Sequence, residues 1–254
     1  MNTWHVARFT VQEMVRSKIM WNIPVLGAVM AIITYVAREF TYGAPARVAT
    51  DLGLAALTLC AYGIAFFAGV NMIRSEADSR TIYLIISRPV SRVSFLAGKL
   101  AGVAVFLTLN VACLGALYFI LMTVLGAGVS GAVFTAVAFV LLEAMLLLVV
   151  VVLLSMLANL ALTLMFGVVL LVAGHAVAVS HDILWLDRMP WLKGALRAYE
   201  WVFPAFHRLS FKHYAVHPGQ FPWDSVLPAA VYGILYSLAV FGLACFVINR
   251  KNFD

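Results

Sequence analysis

Glu143 is the one formally charged residue between Leu100 and His181. A charged carboxylate inside a bilayer costs at least about 2.5 kcal/mol, so such an acid must be neutral, paired or facing water. Asn71, Asn110, Asn159, Thr163 and His175 could partner it, and the sequence alone does not pair them. Glu143 is therefore a candidate for a translocation-path lining or a helix contact. His181, His207, His213 and His217 form a second group, the last three spaced H-x5-H-x3-H. That is not a zinc spacing, and no cysteine completes a ligand set, so they read as structural or surface histidines and no metal is expected. GAGVSG (Gly126 to Gly131) has the glycine spacing of a dinucleotide loop, yet it sits between two apolar runs, where a helix-to-helix turn is expected. Gly98-Lys99 resembles the end of a phosphate-binding loop, but Leu100 stands where Ser or Thr is needed and Val93 where glycine is needed. No serine–histidine–aspartate or paired-carboxylate arrangement can be argued, so the chain is not expected to be an enzyme.

These residues sit in a chain that is 64% hydrophobic and 11% charged. A soluble domain carries roughly 25% charged residues, so an all-α integral membrane protein of one polytopic domain, residues 1–254, is expected. The net charge of +6 then orients loops and meets anionic lipid rather than nucleic acid. The apolar runs are continuous rather than alternating, which excludes a closed barrel. Charges mark the span edges: 19 uncharged residues separate Lys18 from Arg38, 22 separate Asp51 from Arg74, and 25 separate Asp224 from Arg250. The run after Lys99 fits three helices, broken at GAGVSG and at SMLAN (Ser155 to Asn159). Six spans follow, at about 19–37, 52–73, 100–124, 132–156, 160–179 and 225–249. Six spans put both termini on one side. With the termini inside, inner segments hold ten basic residues and outer ones seven. Basic loops favour the cytoplasm, so a multi-pass inner or plasma membrane protein with cytoplasmic termini is expected. Cys60, Cys113 and Cys245 all lie in apolar runs and read as packing residues.

Residues 1–20 carry His5, Arg8, Glu13, Arg16 and Lys18 without an unbroken apolar core, so a cleavable signal is not expected. Instead Trp4, Ala7, Val11, Met14 and Val15 fall on one helical face, and His5, Arg8, Gln12 and Arg16 on the other. This predicts an interfacial amphipathic helix on the inner leaflet. Residues 180–225 hold Trp185, Trp191, Trp201 and Trp223, and Pro190 and Pro204 bracket an amphipathic helix pattern. An external aromatic cap, partly re-entrant or interfacial, is expected there.

Between spans two and three stands SEADSRTIYLIISRPVSRVSFLAGK, residues 75–99. Ser75 and Asp78 have capping-box spacing, Ile82, Ile85 and Ile86 follow at helical spacing, and Pro89 disfavours helix at Arg88. A short inward-facing helix over about 76–87 is predicted, with Ser91 or Ser94 capping the next. Its isoleucines need burial, either in the inner leaflet or on a soluble partner.

This run resembles the segment after the second span in ABC-2 family permeases, the membrane subunits of ATP-binding-cassette transporters, in the branch associated with multicopper-enzyme maturation. Glu76, Ser87, Arg88, Pro89, Ser91, Arg92, Phe95, Gly98 and Lys99 carry the likeness. Arg80 departs from it, where glycine is usual, and so does Ala205 in W-V-F-P-A-F-H-R-L-S-F, where asparagine is usual. At motif level the likeness covers only this run; elsewhere it is one of layout. It implies a transporter permease, an exporter, that hydrolyses no ATP itself. ATP and magnesium would be bound by two copies of a separate ATPase subunit, and the permease would pair with a second copy or a sister permease. Residues 76–87 would be the coupling helix, with Ile82, Ile85 and Ile86 in an ATPase groove. Glu76, Asp78, Arg80, Arg88 and Arg92 would make the surrounding charged contacts. The alternative reading is an ion-driven secondary transporter, which needs membrane acids or broken helices with paired polar groups.

Overall fold

A computed structural model describes residues 3–16, 22–40, 45–78, 91–126, 128, 130–180, 202–216 and 221–250, and positions 191, 194, 199 and 200. Among them the helices are α1 (Thr3–Arg16), α2 (Asn22–Glu39), α3 (Pro45–Asp78), α4 (Arg92–Val124), α5 (Gly131–Leu157), α6 (Leu160–Ser180), a 3-10 turn (Phe206–Leu209), α7 (Lys212–Val216) and α8 (Trp223–Arg250).

Five helices are long and apolar enough to cross a membrane: α3, α4, α5, α6 and α8. They mark the chain as a multi-pass membrane protein. The helix expected at 19–37 is α2, and among the described residues its apolar run is shorter, Pro24–Val36. Thirteen residues rise about 20 Å, against a hydrocarbon core of about 30 Å. Local chemistry accounts for the boundaries. Ser91 is extended, and its Oγ accepts a hydrogen bond from the Ser94 amide, so it caps α4. GAGVSG falls in the α4–α5 connection, with Gly126 at φ +71°. SMLAN breaks the next run at Ala158, and the Asn159 side chain accepts from the Leu162 amide to start α6.

One expectation is corrected. Ser75–Asp78 do not open a new helix. They continue α3, because neither glycine nor proline interrupts the chain between Gly69 and Pro89. Residues 79–90, with Arg80, Ile82, Ile85, Ile86 and Arg88, lie outside the described residues. Helix α1, read as interfacial with Trp4, Ala7, Val11, Met14 and Val15 on its apolar face, also turns residues toward the bundle. Val6, Ala7 and Thr10 are buried, whereas Trp4 and Phe9 are among the most exposed apolar residues. The reason is the partner. Helix α1 packs along α4, and Gly98 and Gly102 are the contact. A Cβ on Gly98 would stand 2.7 Å from Val6 Cβ and 2.8 Å from the Thr3 carbonyl oxygen. One on Gly102 would stand 2.6 Å from Thr10 Cβ and 2.8 Å from the Ala7 carbonyl oxygen. Small residues four apart let two helix backbones approach closely.

Helix α5 is the centre of the bundle. It packs against α3, α4, α6, α7, α8 and the 3-10 turn, and it is buried almost continuously from Leu146 to Val152. The segment before α8 wedges into the same core: Phe206 and Leu209 are fully buried, and Phe211 and Ala215 nearly so. Tyrosines pin this wedge. Tyr232 Oη accepts from the Ala205 amide at 2.9 Å, and Tyr236 Oη donates to the Val202 carbonyl at 3.0 Å. The described part of the segment expected as an external aromatic cap thus forms a buried wedge. The amphipathic helix expected from Pro190 falls largely outside the described residues.

Candidate functional site

The buried wedge, α5 and α6 meet at Glu143. It stands near the middle of α5 and is fully buried. Its Oε1 lies 2.7 Å from His175 Nε2 on α6. His175 was one of five polar residues the sequence offered as partners, and packing selects it. The others are spent locally or stand elsewhere. Asn110 Nδ2 donates to the Phe106 carbonyl of its own helix, Thr163 Oγ1 to the Ala158 carbonyl, and Asn159 caps α6.

Several elements hold the pair. His175 Nδ1 lies 2.9 Å from the Leu171 carbonyl oxygen, one turn back on α6. A carbonyl oxygen only accepts, so Nδ1 carries the hydrogen and the tautomer is fixed. The Phe206 ring of the 3-10 turn stacks parallel to the imidazole, 6.0 Å between centroids at 4°. Gly174 makes that stacking possible, since a Cβ there would meet the Pro204 carbonyl oxygen at 2.6 Å and Phe206 Cδ2 at 2.7 Å. His207 Nδ1 donates to the Gly174 carbonyl at 3.1 Å. From α3, Tyr62 meets the His175 ring edge to face at 6.4 Å. Lys212 Nζ of α7 sits 5.9 Å from the Tyr62 ring centroid. Tyr62 Oη, both Glu143 oxygens and His175 Nε2 are sealed from solvent, and none of them has a well-aligned hydrogen-bond partner among the described residues; Glu143 and His175 meet by proximity.

Neither Tyr62 nor Lys212 stands out in the sequence as a member of this cluster, because one lies in an apolar run and the other in a polar segment. The H-x5-H-x3-H spacing does not form a site here. His207 is tied to Gly174 by its Nδ1, His213 is exposed beside Tyr214, and His181 and His217 lie outside the described residues. Among the described residues no three His, Cys, Asp or Glu side chains converge as a metal site requires. Burial holds His207 below the ordinary histidine value, the largest influence on it, although the Gly174 carbonyl pulls the other way.

A second concavity, of about 370 Å³, opens between α2, α3 and α4. Met30, Ile33, Cys60, Phe67 and Phe106 line it, so it offers no polar chemistry.

Around the expected coupling segment, Lys99 is buried and its Nζ donates to the Met72 carbonyl at 3.1 Å. It also sits 5.8 Å from the Phe95 ring centroid. Lys99, Gly98 and Phe95 of the recognisable run therefore do packing work. Gly98 seats α1, and Lys99 ties the start of α4 to the end of α3. Glu76 and Asp78 belong to the last turn of α3, and Arg92 opens α4.

A scan against protein-family models finds no match, and neither does a search of curated proteins.

Proposed function

We propose that the chain is the membrane subunit of an ATP-binding-cassette exporter, moved by a separate ATPase. One observation carries this reading. Helices α3 and α4 are joined by Lys99 and Met72 just before the chain enters residues 79–90. With 34 and 33 residues, they are about 50 Å long, well beyond the roughly 30 Å of hydrocarbon. Their far ends can therefore hold the charged, isoleucine-bearing segment clear of lipid, where a soluble subunit reaches it. In this reading Ile82, Ile85 and Ile86 fill a groove on the ATPase, and Glu76, Asp78, Arg80, Arg88 and Arg92 meet its rim. ATP closes two ATPase subunits, and a pair of permeases follows because their inner segments bind the closed form differently. Two permease copies, or one with a sister, are needed to face two ATPases.

The reading also takes α2 as a sixth span, with both termini cytoplasmic. Val25, Val29, Ile32, Ile33, Tyr35 and Val36 are all exposed on it, an outward apolar face suited to lipid. Purification in mild detergent should recover a P-loop ATPase with the chain. Ile82→Asp with Ile85→Asp should lose it. Recovery of the unmutated chain alone would sink the proposal.

A second reading, an ion-driven carrier, is favoured by one observation: the buried Glu143–His175 pair. Uptake into liposomes driven by a proton gradient, with no ATPase present, would establish it. Transport that strictly needs ATP would exclude it.

A further inference from the structure

We propose that Glu143 and His175 form a binding site for a single proton, which joins α5 to α6. The inference rests on atom positions. Nδ1 already carries one hydrogen, directed at the Leu171 carbonyl 2.9 Å away. A neutral imidazole then has a bare lone pair at Nε2. An ionised Glu143 has a bare lone pair at Oε1, 2.7 Å from it. Two unprotonated acceptors repel at that distance, and no water reaches these atoms to separate them. A proton held by either atom turns that repulsion into attraction across the 2.7 Å gap.

Whether the proton rests on oxygen or nitrogen, the pair then has no net charge, which suits a fully buried carboxyl. Losing it would leave one negative charge in the bundle, and adding a second would leave one positive charge. The groups facing the pair are the Tyr62 hydroxyl from α3, Lys212 from α7 and His207 from the 3-10 turn. The proton is a property of the folded chain, whichever energy source drives transport.

The test compares unfolding equilibria of the purified chain and Glu143→Gln in mixed detergent micelles, between about pH 5 and pH 8. Glutamine cannot be ionised, and its side-chain N–H can donate to His175 Nε2. The folded wild-type protein then holds one proton more than the folded variant. The unfolded chains hold equal numbers, because a free Glu is ionised above about pH 4.3. Linkage then requires the wild-type unfolding constant to rise, relative to that of the variant, about tenfold per pH unit. A ratio that stays flat across that range overturns the proposal. Should Glu143→Gln fail to assemble, the unmutated chain is unfolded in weak buffer near pH 8, where free histidine is neutral. One proton released per chain is expected, and release of none overturns the proposal.

Discussion

Two contacts join neighbouring helices at opposite extremes of chemistry. Helix α1 meets α4 where side chains are missing: Gly98 and Gly102 bring backbone against backbone. The Thr10 hydroxyl is used within α1, donating to the Val6 carbonyl at 3.0 Å, and the Thr10 Cβ faces Gly102. Helix α6 meets α5 where two ionisable groups face each other in a sealed core. The first contact depends on shape and should ignore pH. The second depends on how many protons are present. In lipid the hydrophobic effect does not drive helices together, so close packing and polar contacts are the means available. This bundle uses one of each.

The largest effect should come from breaking the polar contact outright. Glu143→Ala removes one partner and leaves His175 Nε2 buried without it. Loss of one member of a buried pair costs about 3–5 kcal/mol. The expected result is a loss of that order in unfolding free energy, measured in mixed micelles. Glu143→Gln should cost clearly less, because it keeps the shape and a donor. Equal losses for the two variants would mean that shape and a donor count for nothing and only the carboxylate itself matters.

A smaller effect is expected at the glycine seam. Gly102→Val places a branched side chain against the Ala7 carbonyl oxygen, and no rotamer moves a Cβ. Overpacking of this kind costs about 1–3 kcal/mol. Since α1 is the first helix, it should lift off while the rest stays folded. Val6→Cys is buried in this seam and should label slowly. The same cysteine combined with Gly102→Val should label fast, at equal rates relative to free thiol across pH. A seam that opens only at one end of the pH range would contradict its shape-only character.

The two contacts also differ in how far they could be read from the sequence. Five of the six expected spans were legible because charges or helix breaks bracket them, and Ser91, GAGVSG and SMLAN fell where helices start and stop. The unbroken continuation of α3 through Asp78 was not, since Ser75 and Asp78 imitate a cap with no proline or glycine to enforce one. Glu143 stood out as a lone acid in an apolar run. Its partner did not, because choosing among Asn71, Asn110, Asn159, Thr163 and His175 depends on how α5 and α6 rotate against each other. The seam of α1 with α4 was hidden for a related reason. Periodicity marks an apolar face from Trp4 to Val15, but it does not say which residues fit closely against the glycines of α4, namely Val6, Ala7 and Thr10.

The smallest expected effect lies at the edge of the polar contact, and its sign is opposite to that of the Glu143 site. His207 donates from Nδ1 to the Gly174 carbonyl, and burial holds it below the ordinary histidine value. In the unfolded chain it titrates near 6.5. Above that pH both states are neutral there, and its contribution to stability is complete. As pH falls below about 6.5 the unfolded chain takes up a proton that the folded one resists. Stability is therefore lost toward acid, down through the lower folded value. His207→Asn keeps a donor for Gly174 but cannot be protonated, so it should remove part of the acid-side loss and leave neutral stability nearly unchanged. Glu143→Gln bends the curve the other way, by removing loss toward alkaline pH. A double variant should show both changes added together, because His207 meets the backbone of α6 while Glu143 meets the imidazole. Strong non-additivity would show instead that the 3-10 turn and the α5–α6 contact titrate as one unit.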